Sequence, residues 1–414
     1  MSRILQLGAS ALAVALVAVG GQVASAATAA GKAPSLNARS WILIDAGTGK
    51  VLDRKSPDGR LPMASTTKMM TAYLALKRLP LGKTLRATDY RAAPGESLMG
   101  LESGQRVSVR DLLYGLILLS GNDAAVTLAE AVSGTERRFV RLMNRTARRL
   151  GLKDTSYENP VGLDGPNHFS SARDLASLGQ VLMKMPKFRP IASSRTAKLR
   201  SYRPPVEIET LNLFVLNNSW ARGIKTGHTD KARYVLVSDG RRKSADLIAA
   251  VVGAPSELLR DSESVRLLNY GFSLYSEKVP IRAGKRVTEV GVKFEDAGLK
   301  LVSPRSVRTG IRQDEKLSVR TVVPDEVEGP LKRGEPVGVA TVTVDGQAVG
   351  KVRLLAGRPV AEPDLLDRVQ ENFVYILLAL GIILFAILGA VAVLRRWRRT
   401  NIRRRLRRVS RGRK

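Results

Sequence analysis

Three short strings carry groups that could do chemistry together. Ser65-Thr66-Thr67-Lys68 sets a hydroxyl three residues ahead of an amine, and Ser120-Gly121-Asn122 adds a second hydroxyl and a carboxamide. Lys225-Thr226-Gly227 adds a second amine beside a residue without a side chain. A serine hydroxyl is a weak nucleophile until a neighbouring base takes its proton, and a lysine with a lowered pKa can be that base. These groups suffice for acyl transfer by a serine that needs no histidine. Each string alone is commonplace: a Ser or Thr followed three places later by Lys arises roughly once or twice by chance in a chain this long. Alone, each would pass for a helix cap, a turn or a loop leading into a hairpin. Their order and setting give them weight.

Composition removes the competing chemistries. With no cysteine there is no thiolate nucleophile, disulfide framework or cysteine zinc site. The two histidines, His168 and His228, leave little for a histidine-rich metal centre or a Ser-His-Asp triad. No metal or organic cofactor is implied.

The elements that must position the three strings are legible from local pattern. Residues 41–45 (Trp-Ile-Leu-Ile-Asp), the turn Gly47-Thr48-Gly49 and Lys50-Val51 read as a strand, a tight turn and a returning strand. After Pro62, residues 65–79 have helical composition with Met69, Tyr73, Leu76 and Leu79 on one face. Ser65 is therefore expected at a helix N-terminus, where free N–H groups and the dipole favour a developing oxyanion. Lys68 lies one turn on, on the same face, and can take the Ser65 proton. Ser120-Gly121-Asn122 falls between two apolar helices, 112–119 and 124–132, in a turn able to project Ser120 and Asn122 into a cleft. Lys225-Thr226-Gly227 precedes strands at 234–238 and 247–252, so Lys225 and Gly227 share one face and Thr226 takes the other. Glycine at 227 lets a substrate backbone come close.

Around this core the chain divides further. Residues 1–26 read as an export signal, with Arg3, an apolar run and Ala24-Ser25-Ala26 before the cleavage point. The catalytic region is expected over 36–277 and a small all-β domain over 278–356, where runs such as Val339-Ala340-Thr341-Val342-Thr343-Val344 alternate between turn glycines. Residues 357–372, with Pro359 and Pro363, read as a linker. Residues 373–394 are apolar and uncharged over roughly 33 Å of helix, enough to cross a bilayer core. The tail, 395–414, carries basic residues and no acidic one, which places it in the cytoplasm and the preceding domains outside. Twelve of the net +31 charges sit in this tail and Arg3 holds one, leaving +18 on the exported part. Outside the cell such a surface does not meet RNA or DNA; it is a solvated face, or one drawn to anionic wall polymers.

Longer strings now point to a family. Met63-Ala64-Ser65-Thr66-Thr67-Lys68-Met69-Met70-Thr71-Ala72, Ser120-Gly121-Asn122-Asp123-Ala124-Ala125 and Lys225-Thr226-Gly227-His228-Thr229-Asp230-Lys231-Ala232 are three of them. The others are Asn159-Pro160-Val161-Gly162-Leu163-Asp164 with His168, and Ser170-Ser171-Ala172-Arg173-Asp174. With these, the chain from about Trp41 to Leu355 resembles the low-molecular-mass penicillin-binding proteins that act as serine-type D-alanyl-D-alanine carboxypeptidases. The resemblance implies an α/β (α+β) catalytic domain with a five-stranded antiparallel sheet between helical layers, as in class A β-lactamases, followed by a β-rich domain. It implies Ser65 as nucleophile, Lys68 as proton acceptor, Ser120 as proton relay and Asn122 on the substrate amide. Lys225 and Thr226 would meet the terminal carboxylate, with Arg260 of Arg260-Asp261-Ser262-Glu263-Ser264 a further candidate. The backbone N–H groups of Ser65 and His228 would form the oxyanion hole. The implied substrate is the peptidoglycan stem peptide, and β-lactam antibiotics would acylate Ser65.

The chain departs from the family pattern at Arg222, which stands before Gly-Ile-Lys-Thr-Gly where aspartate is common, and at Arg233, which replaces a usual glycine. The usual asparagine pair near Glu209 to Asn212 is incomplete. A membrane span in place of an amphipathic anchor is a fourth difference. A DD-endopeptidase acting on crosslinks would use the same residues and stays open. A β-lactamase needs a glutamate-positioned water in a Glu-x-x-Leu-Asn loop, which does not follow Ser120. A silent wall-binding scaffold needs a broken motif, and all three are intact.

Overall fold

The structure, a computed structural model, describes residues 32–242 and 245–411 and a two-residue strand, Leu16–Val17. The rest of the expected export signal, 1–26, lies outside the described residues. The chain forms two units, one of Gly21–Lys278 with Arg308–Lys316, the other including Val279–Val307 and Leu317–Lys414.

The first unit is built on a five-stranded antiparallel sheet. Its strands are β1 (Ser40–Asp45), β2 (Val51–Lys55), β3 (Ala221–Thr229), β4 (Arg233–Arg242) and β5 (Ala245–Ala254), in the order β2-β1-β5-β4-β3. The near-continuous apolar runs of β1 and β5 follow from covering both faces, because alternate side chains enter different cores. Ile42, Ile44, Ile248 and Ala250 join the helices α1 (Lys68–Arg78), α2 (Val109–Leu118), α3 (Asn122–Ser133), α4 (Glu136–Arg149) and α5 (Ala172–Met183). Trp41, Leu43, Leu247 and Ala249 pack instead with Leu267, Leu268 and Phe272 of α6 (Glu257–Ser273).

The second unit carries a sheet that includes Arg286–Val292, Glu295–Val302, Leu317–Val322, Pro336–Val344 and Gln347–Ala356. The alternation read at 339–344 is present, with Ala340 and Val342 buried beside Leu299, Leu301, Val352 and Leu354. Its hairpin turns at Asp345-Gly346, both with positive φ, the conformation that favours a turn matching strand twist. Arg308–Lys316 groups with the first unit. There Arg312 donates to the Tyr275 hydroxyl at 3.0 Å, and Lys50 pairs with Asp314 at 2.6 Å.

A last helix, α7, runs over Leu365–Arg411. It begins inside the segment expected as a linker, so residues 365–372 are helical and only the Pro-containing first half is irregular. Phe373–Trp397 contains an 18-residue window of mean hydropathy 3.0 and is long and apolar enough to cross a membrane.

Candidate active site

Ser65 does not start a regular α-helix. Ala64–Thr67 form a single 3-10 turn and α1 begins at Lys68. Ala64 sits at φ +48°, a left-handed conformation unfavourable for a residue with a Cβ, and this tight entry presents Ser65 ahead of the helix. The Lys68 side chain is fully buried. Its Nζ lies 2.8 Å from Ser65 Oγ and donates to the Val161 carbonyl at 2.8 Å. Burial drives the Lys68 pKa well below the ordinary lysine range, and the charge of Lys225 lowers it further against Glu96 and Asp123. An amine so depressed gives up its proton far more readily than an ordinary lysine, and in its neutral form it can accept the Ser65 proton while its N–H stays on Val161.

The carbonyl of Val161 was not legible as a functional group in the sequence. It is offered by a loop closed where Ser156 and Phe169 exchange backbone hydrogen bonds of 2.9 and 3.1 Å. Asn159 Oδ1 accepts from the backbone N–H groups of Val161, Gly162 and Leu163, and Thr71 Oγ1 donates to the Pro160 carbonyl at 2.7 Å. His168 closes the loop from behind. The Glu158 N–H donates to its Nδ1 at 3.0 Å, so Nε2 carries the proton and donates to Thr67 Oγ1 at 2.8 Å. Burial pushes the His168 pKa down to about 4 and keeps the ring neutral. Gly162, at φ +103°, admits no side chain, for an added Cβ would stand 2.1 Å from the Ala64 oxygen.

Ser120 occupies the break between α2 and α3, buried and at φ +60°. Strain of this kind concentrates at functional positions, since only the surrounding packing sustains it. Asn122 opens α3 two residues earlier than the pattern suggested and is buried. Its Nδ2 donates to Glu96 Oε2 at 2.6 Å and its N–H to the Ser97 carbonyl at 2.8 Å. Glu96 escaped the sequence reading; its one local signal is the Pro94-Gly95 turn just before it.

The third string lies on β3, with Lys225 and Gly227 buried and Thr226 half-buried, as alternation requires. Lys225 Nζ donates to the Thr226 carbonyl at 2.9 Å, and burial lowers its pKa to about 7, helped by the charge of Arg260. Gly227 also makes a contact within the protein. A Cβ there would lie 2.9 Å from the Ser65 nitrogen and 3.1 Å from the Met63 oxygen, so the glycine lets β3 press against the serine turn itself. His228 is exposed and stacks on Tyr234 at 4.2 Å. Arg260 is buried at the start of α6, its guanidinium engaged by Glu257 and Asp261 at 2.8 Å each. Arg222 belongs to the sheet, where it donates to Asp239 at 2.7 Å and pairs with Asp246.

A serine and a buried amine in this contact, set on an antiparallel sheet between helices, define an active-serine acyl-transfer enzyme. The family profile described as D-alanyl-D-alanine carboxypeptidase matches residues 26–256, and that of the penicillin-binding protein 5 C-terminal domain matches 275–362. The D-alanyl-D-alanine carboxypeptidase DacC of Escherichia coli K12 is 34% identical over 357 residues, spanning 82% of this chain and 88% of that protein. DacF of Bacillus subtilis is 31% identical across 81% and 87%. Among solved structures, penicillin binding protein 5 from Haemophilus influenzae aligns with a TM-score of 0.56 at 31% identity, covering 80% of this chain and 99% of that one. The Streptomyces K15 DD-transpeptidase aligns at 0.56 and 31%, covering 58% and 99%. The chain belongs to the D-alanyl-D-alanine carboxypeptidase family, a family of serine hydrolases.

Proposed function

We propose that Ser65 is the nucleophile with which this carboxypeptidase removes the terminal D-alanine of peptidoglycan stem peptides. The contact between Ser65 Oγ and the buried Lys68 amine carries this reading. Lys68 Nζ takes the Ser65 proton as Oγ bonds to the carbonyl carbon between the two D-alanines. The C–N bond then breaks, and the proton passes to the departing amine, with Ser120 at hand as relay. Water attacks the ester, Lys68 now accepting a proton from the water, and Ser65 is restored. The Ser65 and His228 N–H groups hold the oxyanion, Asn122 the peptide amide, and Lys225 with Thr226 the terminal carboxylate. Arg260 reaches that carboxylate through its field on Lys225, since its own guanidinium is taken. A β-lactam enters by the same attack and leaves an ester that hydrolyses slowly.

The apolar helix and the basic run after it support a single-pass anchor with the catalytic unit outside the membrane and the tail in the cytoplasm. Release of free D-alanine from a D-Ala-D-Ala pentapeptide, with fluorescent penicillin labelling alongside, tests the chemistry. Both signals should vanish together in Ser65→Ala; release persisting in that variant would refute the assignment. The name of the K15 enzyme keeps a second acceptor in view. Labelling without D-alanine release would shift the reaction to crosslink cleavage, whereas D-alanine release that turns over only when an acceptor amine is added would mark transfer onto that amine.

A further inference from the structure

We propose that Glu96 is a positioning residue, its carboxylate fixing the plane and polarity of the Asn122 carboxamide so that the site favours substrates with an acylated amine beside the scissile bond. The proposal rests on the reading of Asn122 as the substrate-amide contact. An ionised carboxylate only accepts hydrogen bonds, so the atom of Asn122 facing Glu96 must be Nδ2. Burial alone would raise the Glu96 pKa, but hydrogen bonds from Tyr90, Ala93 and Asn122 outweigh it and keep the group ionised. Oε2 receives Asn122 and the Tyr90 hydroxyl, and Oε1 receives the Ala93 N–H at 3.0 Å. One Nδ2 hydrogen is thereby committed, which fixes the direction of the other hydrogen and of Oδ1, the pair a substrate amide would meet.

The carboxylate closes its own turn through Tyr90 and Ala93, but the stretch that follows is docked without it. Asp123 accepts from the N–H groups of Met99 and Leu101 at 2.8 and 2.9 Å, and the Tyr202 hydroxyl donates to the Met99 carbonyl. The loop is therefore docked on α3 independently, and the bond from Glu96 serves Asn122.

The test uses the full-length protein in detergent and two acylating probes, benzylpenicillin, whose ring amine is acylated, and 6-aminopenicillanic acid, whose amine is free. The ratio of their acylation rate constants measures recognition of the acylated amine. In Glu96→Gln the Asn122 Nδ2 meets a neutral carbonyl oxygen or the amide's own NH2 in place of a carboxylate oxygen, so the ratio should fall about tenfold, the effect of one charge-assisted hydrogen bond. Glu96→Asp, which keeps the charge but retracts it, should lower the ratio likewise, with the thermal midpoint held near wild type in both. Asn122→Ala serves as the reference. If it lowers the ratio while both Glu96 variants leave it unchanged or slow the two probes equally, the positioning role is overturned and the Asn122 reading stands. If Asn122→Ala leaves the ratio unchanged, that reading falls and this proposal with it.

Discussion

Two buried lysines facing one reaction need different protonation states. Lys68 must be neutral to accept a proton, whereas Lys225 must be charged to hold a carboxylate. Burial and one neighbouring cation lower each of them, Lys225 acting on Lys68 and Arg260 on Lys225, which brings Lys225 to about 7. An amine with a lowered pKa is charged below that value and neutral above it. The kcat/KM profile should therefore fall on its alkaline side near pH 7 as Lys225 deprotonates, and on its acid side as Lys68 becomes protonated. In kcat the alkaline limb should move upward, because bound carboxylate favours the ammonium. Lys225→Arg should erase the alkaline limb and keep the acid one, and an alkaline limb surviving that change would remove Lys225 from the carboxylate site. At this scale the reacting groups were legible because their types are scarce and their spacing is fixed. Val161 was not, since a backbone carbonyl has no residue-specific signature. Glu96 was not, since 26 residues separate it from the asparagine it orients.

Secondary structure was legible where burial imposes a period. The double-faced runs of β1 and β5 and the alternation at 339–344 show this. Capping explains where boundaries moved: α2 starts at Val109 because the Ser108 hydroxyl accepts from the Asp111 N–H. The 3-10 turn at Ser65 was hidden because helical composition does not distinguish a regular first turn from a tight one. Arg233 shows a departure whose physical meaning needed the backbone. It opens β4 at φ +55°, a conformation that glycine adopts freely and arginine does not, and it is exposed. Arg233→Gly should therefore stabilise the catalytic unit by about 0.5–1 kcal/mol, read as a higher urea midpoint with an unchanged slope. A lower midpoint would mean that contacts of the arginine outweigh its strain. Arg222 resolved differently: its ion pairs with Asp239 and Asp246 tie it to the sheet.

Across the whole molecule, the break between catalytic and β-rich regions was visible as a change of pattern near residue 278, while the return of Arg308–Lys316 to the first unit was not. That return rests on the pairing of the strand Val307–Arg312 with Tyr275–Ile281 and on contacts such as Lys50 with Asp314, whose partners lie far apart in sequence. The apolar helix was plain from hydropathy alone. Ending the chain before Leu365 should give a protein that stays in the aqueous phase and turns over a soluble pentapeptide at the full-length rate within about twofold, because the reacting groups all lie in the first unit. A large loss of turnover on the soluble peptide would show that the helix does more than anchor. The serine turn, meanwhile, is approached by two remote stretches of backbone, at Gly162 and at Gly227, with no space for even a methyl group at either. A side chain at either glycine would displace the serine turn itself, so substrate peptide and β-lactam, which meet the same Ser65, would lose reactivity together.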